Sequence, residues 1–321
     1  MIIVPERLIA DLMGPDQAYD AVRDVFAAMS RGDAWNFPVV REALGHADAL
    51  YGFKSGFDRA GKVLGLKSGG YWPGNAAQGL TNHQSTVVLF DPDTGRASAM
   101  VGGNLLTALR TAAASALSID LLARRDAKVL GMVGAGHQAA FQLRAAARVR
   151  PFKEVVAWNY HPDMLPRLGD VAAELGLPFR AVDLATLGAE ADVIITITSS
   201  FAPSLMDAHV RPGTHIACMG TDTKGKQEVE AALLGRARVF TDEVAQSTTL
   251  GEAQHAVAAG LISANAITPL GDVIEGKDPG RTFADQITVF DGTGVGLQDL
   301  AAAARVVDLA IARGVATEIE I

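Results

Sequence analysis

The sequence predicts a doubly wound α/β fold joined to a smaller α+β domain, on three observations. At 321 residues the chain exceeds the usual reach of one hydrophobic core. From Ala127 onward, unbroken apolar runs alternate with helical patterns, as a parallel sheet covered on both faces requires. The first of those runs ends in a glycine turn that opens a helix, the punctuation of a nucleotide-binding unit.

Taken in order, Asp16 to Ser30 has the apolar spacing of an amphipathic helix, and STVVLF and RASAMVGG flank the turn DPDTG as a β-hairpin. A long helix from Leu105 to Arg124 leads into the second half, where AKVLGMVG, EVVAWN, ADVIITITSS, GTHIACMG, ARVFTD and QITVFDG read as strands. GLQDLAAAARVVDLAIARG reads as a closing helix that either completes the nucleotide domain or crosses back to the first. The expected division is residues 1–112 with 302–321 as a substrate-binding domain, and 113–301 as a Rossmann-type dinucleotide-binding domain.

A formal net charge of -8 argues against a nucleic-acid binder or an anionic-membrane binder, which need a surplus of Lys and Arg on one face. A small anionic substrate needs only a few local cations. The start, MIIVPERLIADLMG, lacks the basic flank of a signal peptide, and no run approaches the roughly 18 apolar residues of a membrane span. Cys218 stands alone in THIACMG, which excludes an intramolecular disulfide and suits a reduced, cytoplasmic setting. A buried strand position makes it a packing residue rather than a nucleophile.

In VLGMVGAGHQA the glycines fall as GxGxxA: Gly134 permits the turn, Gly136 clears the approach of a pyrophosphate, and Ala139 seats the helix on the sheet. His137 and Gln138 would line the phosphate turn. The next strand ends at Asn159, which can bind ribose hydroxyls, and no Arg follows to clamp a phosphate. NAD(H) is expected over NADP(H).

Arg41, Lys67 and Arg110 could each be an ordinary solvated cation. Arg110 is the least ordinary, because the helix around it is almost wholly Leu, Ala, Thr and Ser. An Arg buried there needs a partner, and a ligand carboxylate would supply one through paired hydrogen bonds. Lys67 could add charge or transfer protons if burial lowers its pKa. Asp222 follows the strand GTHIACMG, either as a turn or helix-capping residue or at the ligand crevice of the sheet. His83 reads equally well as structural. The seven His and single Cys show no metal-binding spacing, so no metal site is expected.

Lys67 in GLKSGGYWPGN, LLTALRTAAASAL, VLGMVGAGHQAA, GTDTKGKQE and VFDGTGVGLQDL together resemble the ornithine cyclodeaminase and mu-crystallin family over nearly the whole chain. YGFKSGFD, NHQSTVVLFDPDTGR and TDEVAQS are similar to the branch that reduces iminosuccinate to L-aspartate in the β-hydroxyaspartate route of glycolate assimilation. The resemblance implies that Arg41, Lys67 and Arg110 hold the substrate carboxylate, and that Asp222 sits by the reacting carbon and nitrogen, with Lys67 or Asp222 managing the proton. It further implies that Arg110, Thr111, Gly134, Gly136, His137, Gln138 and Asn159 contact the dinucleotide, and that Ser199, Met219 and Gly220 line its nicotinamide side. A homodimer paired through the first domain is implied as well.

One departure stands out. MVGGN precedes LLTALRT where many relatives carry an acidic residue, aligned near Gly102. Loss of an anion there would suit an acidic substrate. The expected activity is NADH-dependent reduction of a small imino dicarboxylate. The alternatives are ornithine cyclodeamination, an alanine dehydrogenase-like reaction, and nucleotide binding without turnover.

Overall fold

The computed structural model describes residues 1–320, which form two units: Met1–Arg110 with Val295 onward, and Thr111–Gly294. Its long helices are α1 (Pro15–Arg31), α2 (Asn104–Leu122), α3 (Ala139–Val149) and α4 (Gly296–Ala312). The expected breaks, after 112 and after 301, lie a few residues further on. The second unit ends earlier because α4 packs along its whole length in the first unit.

The first unit is built on one sheet of β1 (Ile2–Val4), β2 (Ala34–Asn36), β3 (Val40–Ala43), β4 (Leu50–Asp58), β5 (Val63–Tyr71), β6 (His83–Phe90) and β7 (Ala97–Gly102). Strands β4 to β7 form an antiparallel meander that contains the expected hairpin, with β2 and β3 both antiparallel to β4. At the other edge β1 runs parallel to β7, and the terminal strand Thr317–Glu318 pairs with β1.

One face of this sheet is covered by α4, with α1 packed against it. Helix α1 starts with Pro15, whose ring presets the helical φ, and stops at Gly32, which takes the left-handed φ of 76°. Its residues Ala18, Val22, Val25 and Phe26 form the buried stripe.

Leu297, Leu300, Ala303, Val306 and Ala310 of α4 are fully buried, and each leucine contributes about 1.5–3 kcal/mol. Gly56 and Gly65, cross-strand partners, make the contact close: a Cβ would lie 3.1 Å from Leu297 at the first and 3.0 Å from Leu300 at the second. The first turn of α4 is thereby pinned to β4 and β5. The opposite face leaves Trp35, Val40, Tyr51, Phe53 and Met100 between 37% and 42% exposed.

The second unit carries an all-parallel sheet of β8 (Val129–Val133), β9 (Glu154–Trp158), β10 (Phe179–Ala181), β11 (Val193–Thr196), β13 (His215–Cys218), β15 (Arg238–Thr241), β16 (Thr268–Pro269) and β17 (Thr288–Asp291). Two short segments, β12 (Phe201–Leu205) and β14 (Gln227–Val229), pair separately. The spatial order is β10-β9-β8-β11-β13-β17-β15-β16. All six strands expected from the sequence are present. The order reverses between β8 and β11, and in such sheets ligands bind beyond the carboxyl ends of the strands at that switch point.

Contrary to the sequence reading, one helix meets the length and hydropathy of a membrane span. That helix is α2, and 78% of its apolar window is buried inside the protein, as in a core helix.

Candidate active site

Helix α2 is apolar almost all round, so a charged group in its middle, such as Arg110, is buried at a cost. Arg110 and Lys67 are 5% and 7% exposed, and both reach Asp299 in the first turn of α4, itself fully buried. Lys67 Nζ lies 2.8 Å from Asp299 Oδ2, and Arg110 Nε donates to Asp299 Oδ1 at 2.9 Å. Arg110 Nη1 donates to Gln298 Oε1 at 2.9 Å, and Lys67 Nζ donates to Thr107 Oγ1 at 3.4 Å.

The partner of Arg110 is therefore a carboxylate of the protein itself, where the sequence reading looked to a ligand. With Lys67 protonated, two cations against one anion leave the cluster with one positive charge in excess. Burial, and then the neighbouring Arg110 charge, push the Lys67 ammonium down from 10.5 to about 7, although Asp299 pulls the other way. Burial alone would raise the Asp299 carboxyl. Arg110 and Lys67 outweigh burial and hold it below the usual carboxylate range. A bound carboxylate would supply the missing negative charge.

Arg41 sits on β3 opposite Gly52, which is opposite Gly69 on β5. Directly paired residues share a face, so Arg41 shares the face of Lys67, two residues along β5. Gly102 does not open a space without an anion: a Cβ there would lie 2.6 Å from Glu6 Oε2. The Glu6 carboxylate accepts from the backbone N–H of Asn104 at 3.1 Å and of Leu105 at 2.7 Å, capping α2. The charge argument built on that departure is overturned, because an acid from elsewhere in the chain fills the place. His83 is the first residue of the interior strand β6, opposite Tyr71 at the end of β5.

In the second unit the glycines of the turn separate by role. Gly134 has a φ of 112°, and a Cβ would lie 2.6 Å from the Ile197 carbonyl oxygen. The fold requires that glycine. At Gly136 a Cβ would meet nothing within 4 Å, so packing leaves this glycine unexplained and a close-approaching ligand explains it. Beside it His137 is exposed, and the buried Oε1 of Gln138 has no partner in the protein. Helix α3 then presents its N-terminus, with the free N–H groups that suit a pyrophosphate.

Asn159 is more committed than expected. Its Oδ1 accepts from Ala135 N at 3.0 Å and its Nδ2 donates to His161 O at 2.8 Å, so it braces the glycine turn. Beyond it a cavity of about 450 Å³ is lined by Trp158, Asn159, Leu165, Val182 and Asp183, among others. Its apolar walls suit an adenine ring. Asp183, held ionised by the Thr186 N–H, and the absence of a cation among the lining residues disfavour a ribose 2′-phosphate. These residues fit NAD(H) better than NADP(H).

Buried carboxylates organise the strand ends. Glu228 accepts from Thr196 Oγ1 at 2.7 Å, Thr198 N at 2.5 Å and Gly220 N at 2.8 Å, tying β11 to β13. A Cβ at Gly220 would lie 2.3 Å from the Thr198 carbonyl oxygen, so only glycine fits. Glu252 accepts from the N–H groups of Glu228 and Val229, and Asp291 from those of Glu252 and Ala253. Burial, reinforced by the Glu228 charge, raises Glu252 to about 8, and burial raises Asp291 to about 7.

Met219 is buried and Ser199 exposed at these same strand ends, and Thr111 is buried on α2. Asp222 lies in the turn after β13, where its Oδ1 accepts from Lys226 Nζ at 2.9 Å and Thr223 Oγ1 at 3.2 Å. The next helix begins at Ala231, so Asp222 caps none. Cys218 is buried, and its thiol is raised by burial. Among the described residues no cluster of His, Cys, Asp and Glu could hold a metal.

Sequence reasoning brought Lys67 and Arg110 forward but missed Asp299, Gln298 and Thr107. A carboxylate within a nearly continuous apolar helix is a signal of the kind that marked Arg110. Asp299 stands in the first turn of its helix, where an acid is ordinary.

The model of the ornithine cyclodeaminase/mu-crystallin family matches residues 10–314. The chain is 66% identical over 321 residues to the iminosuccinate reductase of Paracoccus denitrificans (strain Pd 1222), covering 100% of both. The structure of that organism's iminosuccinate reductase in complex with NAD+ superposes with a TM-score of 0.96, covering 100% of this chain and 99% of the other. An archaeal alanine dehydrogenase dimer with bound NAD superposes with a TM-score of 0.94 at 30% identity, covering 100% and 99%.

Proposed function

The chain belongs to the ornithine cyclodeaminase/mu-crystallin family, and from that membership we propose that it is an NADH-dependent imine reductase converting iminosuccinate to L-aspartate. The observation that carries the reading is the buried Lys67–Asp299–Arg110 cluster with its one positive charge in excess. An anionic imino acid supplies the missing charge. The 66% identity to an iminosuccinate reductase supports the choice of substrate, and Gly136, Gln138 and the Asp183 cavity support NAD(H) as cofactor.

NADH supplies the hydride that reduces the imine carbon. The protein does the rest. Arg110, fixed by Asp299 and Gln298, presents a guanidinium whose bonds to those two residues use Nε and Nη1, and Nη2 takes a substrate carboxylate oxygen. Lys67, with its pKa near 7, is poised to hold a proton at the nitrogen and to release it at neutral pH. Asp222 is the second candidate for that proton, oriented by Lys226. Arg41 adds positive charge along the same face.

A homodimer formed through the exposed apolar sheet face of the first unit completes the proposal. Its support is the row Trp35, Tyr51, Phe53 and Met100, together with the dimeric archaeal relative. The lone, buried Cys218 accords with work in the reducing cytoplasm.

Oxaloacetate, ammonium and NADH are the test. NADH should be consumed with formation of L-aspartate, faster than with NADPH. Absence of aspartate under these conditions would refute the assignment. Conversion of ornithine to proline without net NADH use would replace it with cyclodeamination.

A further inference from the structure

Past the last residues of β11 and β13 the chain leaves the sheet, and the N–H groups of Thr198 and Gly220 need an acceptor that no neighbouring strand supplies. One carboxylate takes both. Glu228, on β14 and 1% exposed, accepts from Thr198 N at 2.5 Å through Oε1, and from Gly220 N at 2.8 Å and Thr196 Oγ1 at 2.7 Å through Oε2. Burial raises its carboxyl, and these bonds work in the opposite direction. A glutamine in its place would bring an amino group to one of the two backbone N–H groups and set donor against donor. Glu228 is itself held: its N–H donates to the Glu252 carboxylate at 2.9 Å, and that carboxylate also accepts from Thr221 Oγ1.

The bonds draw two strand ends into contact. Backbone of Thr198 and Gly220 meets so closely that a Cβ at Gly220 would also lie 2.5 Å from Glu228 Oε1. On its other side the same segment closes the glycine turn, since a Cβ at Gly134 would lie 2.6 Å from the Ile197 carbonyl oxygen and 3.2 Å from Thr198 Cγ2. Ile197, Thr198, Gly134 and Gly220 therefore meet at the carboxyl edge of the sheet, with the Glu228 carboxylate buried at their junction. Ser199, the next residue, is exposed.

We infer that Glu228 is a positioning residue for hydride transfer, fixing through the backbone at Thr198 and Gly220 the floor on which the nicotinamide ring lies. The glycine turn at Gly136 takes the pyrophosphate, and the cavity at Trp158 and Asp183 takes the adenine. From there the spatial order runs through β8 to β11 and β13. A dinucleotide that spans the switch point lays its other half across the ends of those two strands. Misplacing a reacting group by about 1 Å costs about a hundredfold in rate, and three hydrogen bonds to one buried carboxylate hold the floor against such a shift. The inference rests on the NAD(H) reading and goes beyond it, in naming a buried residue that acts through two backbone N–H groups.

The test is calorimetric binding of NADH and of ADP-ribose, which has the adenine and both phosphates but lacks the nicotinamide ring. In Glu228→Gln the affinity for NADH should fall about tenfold or more while that for ADP-ribose stays within about twofold, and kcat with oxaloacetate plus ammonium should fall as well. Asp192→Asn is the matched control. Asp192 precedes β11 at its other end and accepts from Lys128 N at 2.7 Å and Val129 N at 3.0 Å. Its loss should lower Tm and leave the ratio of the two affinities unchanged. Equal weakening of both ligands in Glu228→Gln, no weakening of either, or the same change of ratio in Asp192→Asn overturns the inference. If Glu228→Gln did not fold, Thr196→Val, which removes one of the three bonds and keeps the shape, is read in the same way. Its ratio should fall about threefold, and an unchanged ratio refutes the role. A wild type that bound NADH and reduced no imine would end the reductase reading alone, and the ratio would still decide for or against Glu228.

Discussion

Replacing Asp299 with Asn removes the one negative charge shared by Lys67 and Arg110 and keeps the side-chain shape. At an effective dielectric constant of about 20, unit charges 2.8 and 2.9 Å apart attract by about 6 kcal/mol each. Desolvation offsets much of this, and the net cost of stripping one partner from a buried pair is about 3–5 kcal/mol. At about 2–4 °C per kcal/mol, Tm should fall by about 10 °C.

The loss should depend on pH in a stated direction. Lys67 has a folded pKa of about 7 against 10.5 for a free lysine, so its charged form is disfavoured by folding. That cost is complete below pH 7 and is relieved as pH rises from 7 towards 10.5. Without Asp299 the folded pKa drops further, and each unit adds about 1.4 kcal/mol to the cost at acid pH. The gap in Tm between wild type and Asp299→Asn should thus be widest at pH 6 and narrow by pH 9. Thermal melts across that range measure it. A gap that is constant with pH would mean that Asp299 does not govern the protonation of Lys67.

Gly136→Val should leave Tm nearly unchanged, since a side chain there meets open space. It should weaken NADH binding roughly a hundredfold, about 2.7 kcal/mol, in a fluorescence titration. Gly134→Ala should instead lower Tm, because its φ of 112° and the Ile197 carbonyl exclude a Cβ. Glu252 and Asp291, raised to about 8 and about 7, contribute stability that is full at acid pH and lost as pH climbs through those values. Glu252→Gln should flatten the decline in Tm between pH 6 and 8.5. Phe53→Asp, on the exposed sheet face, should give a monomer by light scattering at about 10 μM, since an interface cannot bury that carboxylate unpaired.

Six strands of the parallel sheet were legible because each is a short apolar run between helical patterns, while the edge strands β10 and β16, two or three residues long and not buried on both faces, carry no such run. The meander of β4 and β5 was not. Its glycines serve helix contact, a use that leaves no periodic trace in YGFKSGFD or LGLKSGG. Arg110 announced itself as a charge in an apolar helix, but its partner could not be located, since Asp299 lies 189 residues away. An acid in the first turn of a helix is ordinarily a dipole effect. Asn159 and Gly102 show a further limit: strand and turn position were read correctly, while the hydrogen bond to Ala135 and the intrusion of Glu6 belong to tertiary structure.

The interleaving of the first unit also dictates an order of events during synthesis. Lys67 and Arg110 emerge from the ribosome long before Asp299, and the helix that carries their counter-ion is among the last segments made. Until it arrives, the glycine rows on β4 and β5 lie open to water, and the partner of β1 at Thr317–Glu318 does not yet exist. The second unit is one uninterrupted stretch of chain, and its last strand, β17, is made just before that helix. The nascent protein therefore completes its dinucleotide fold before its Lys67–Asp299–Arg110 cluster. A stop codon or proteolytic cut shortly before residue 296 would leave it with the first and without the second.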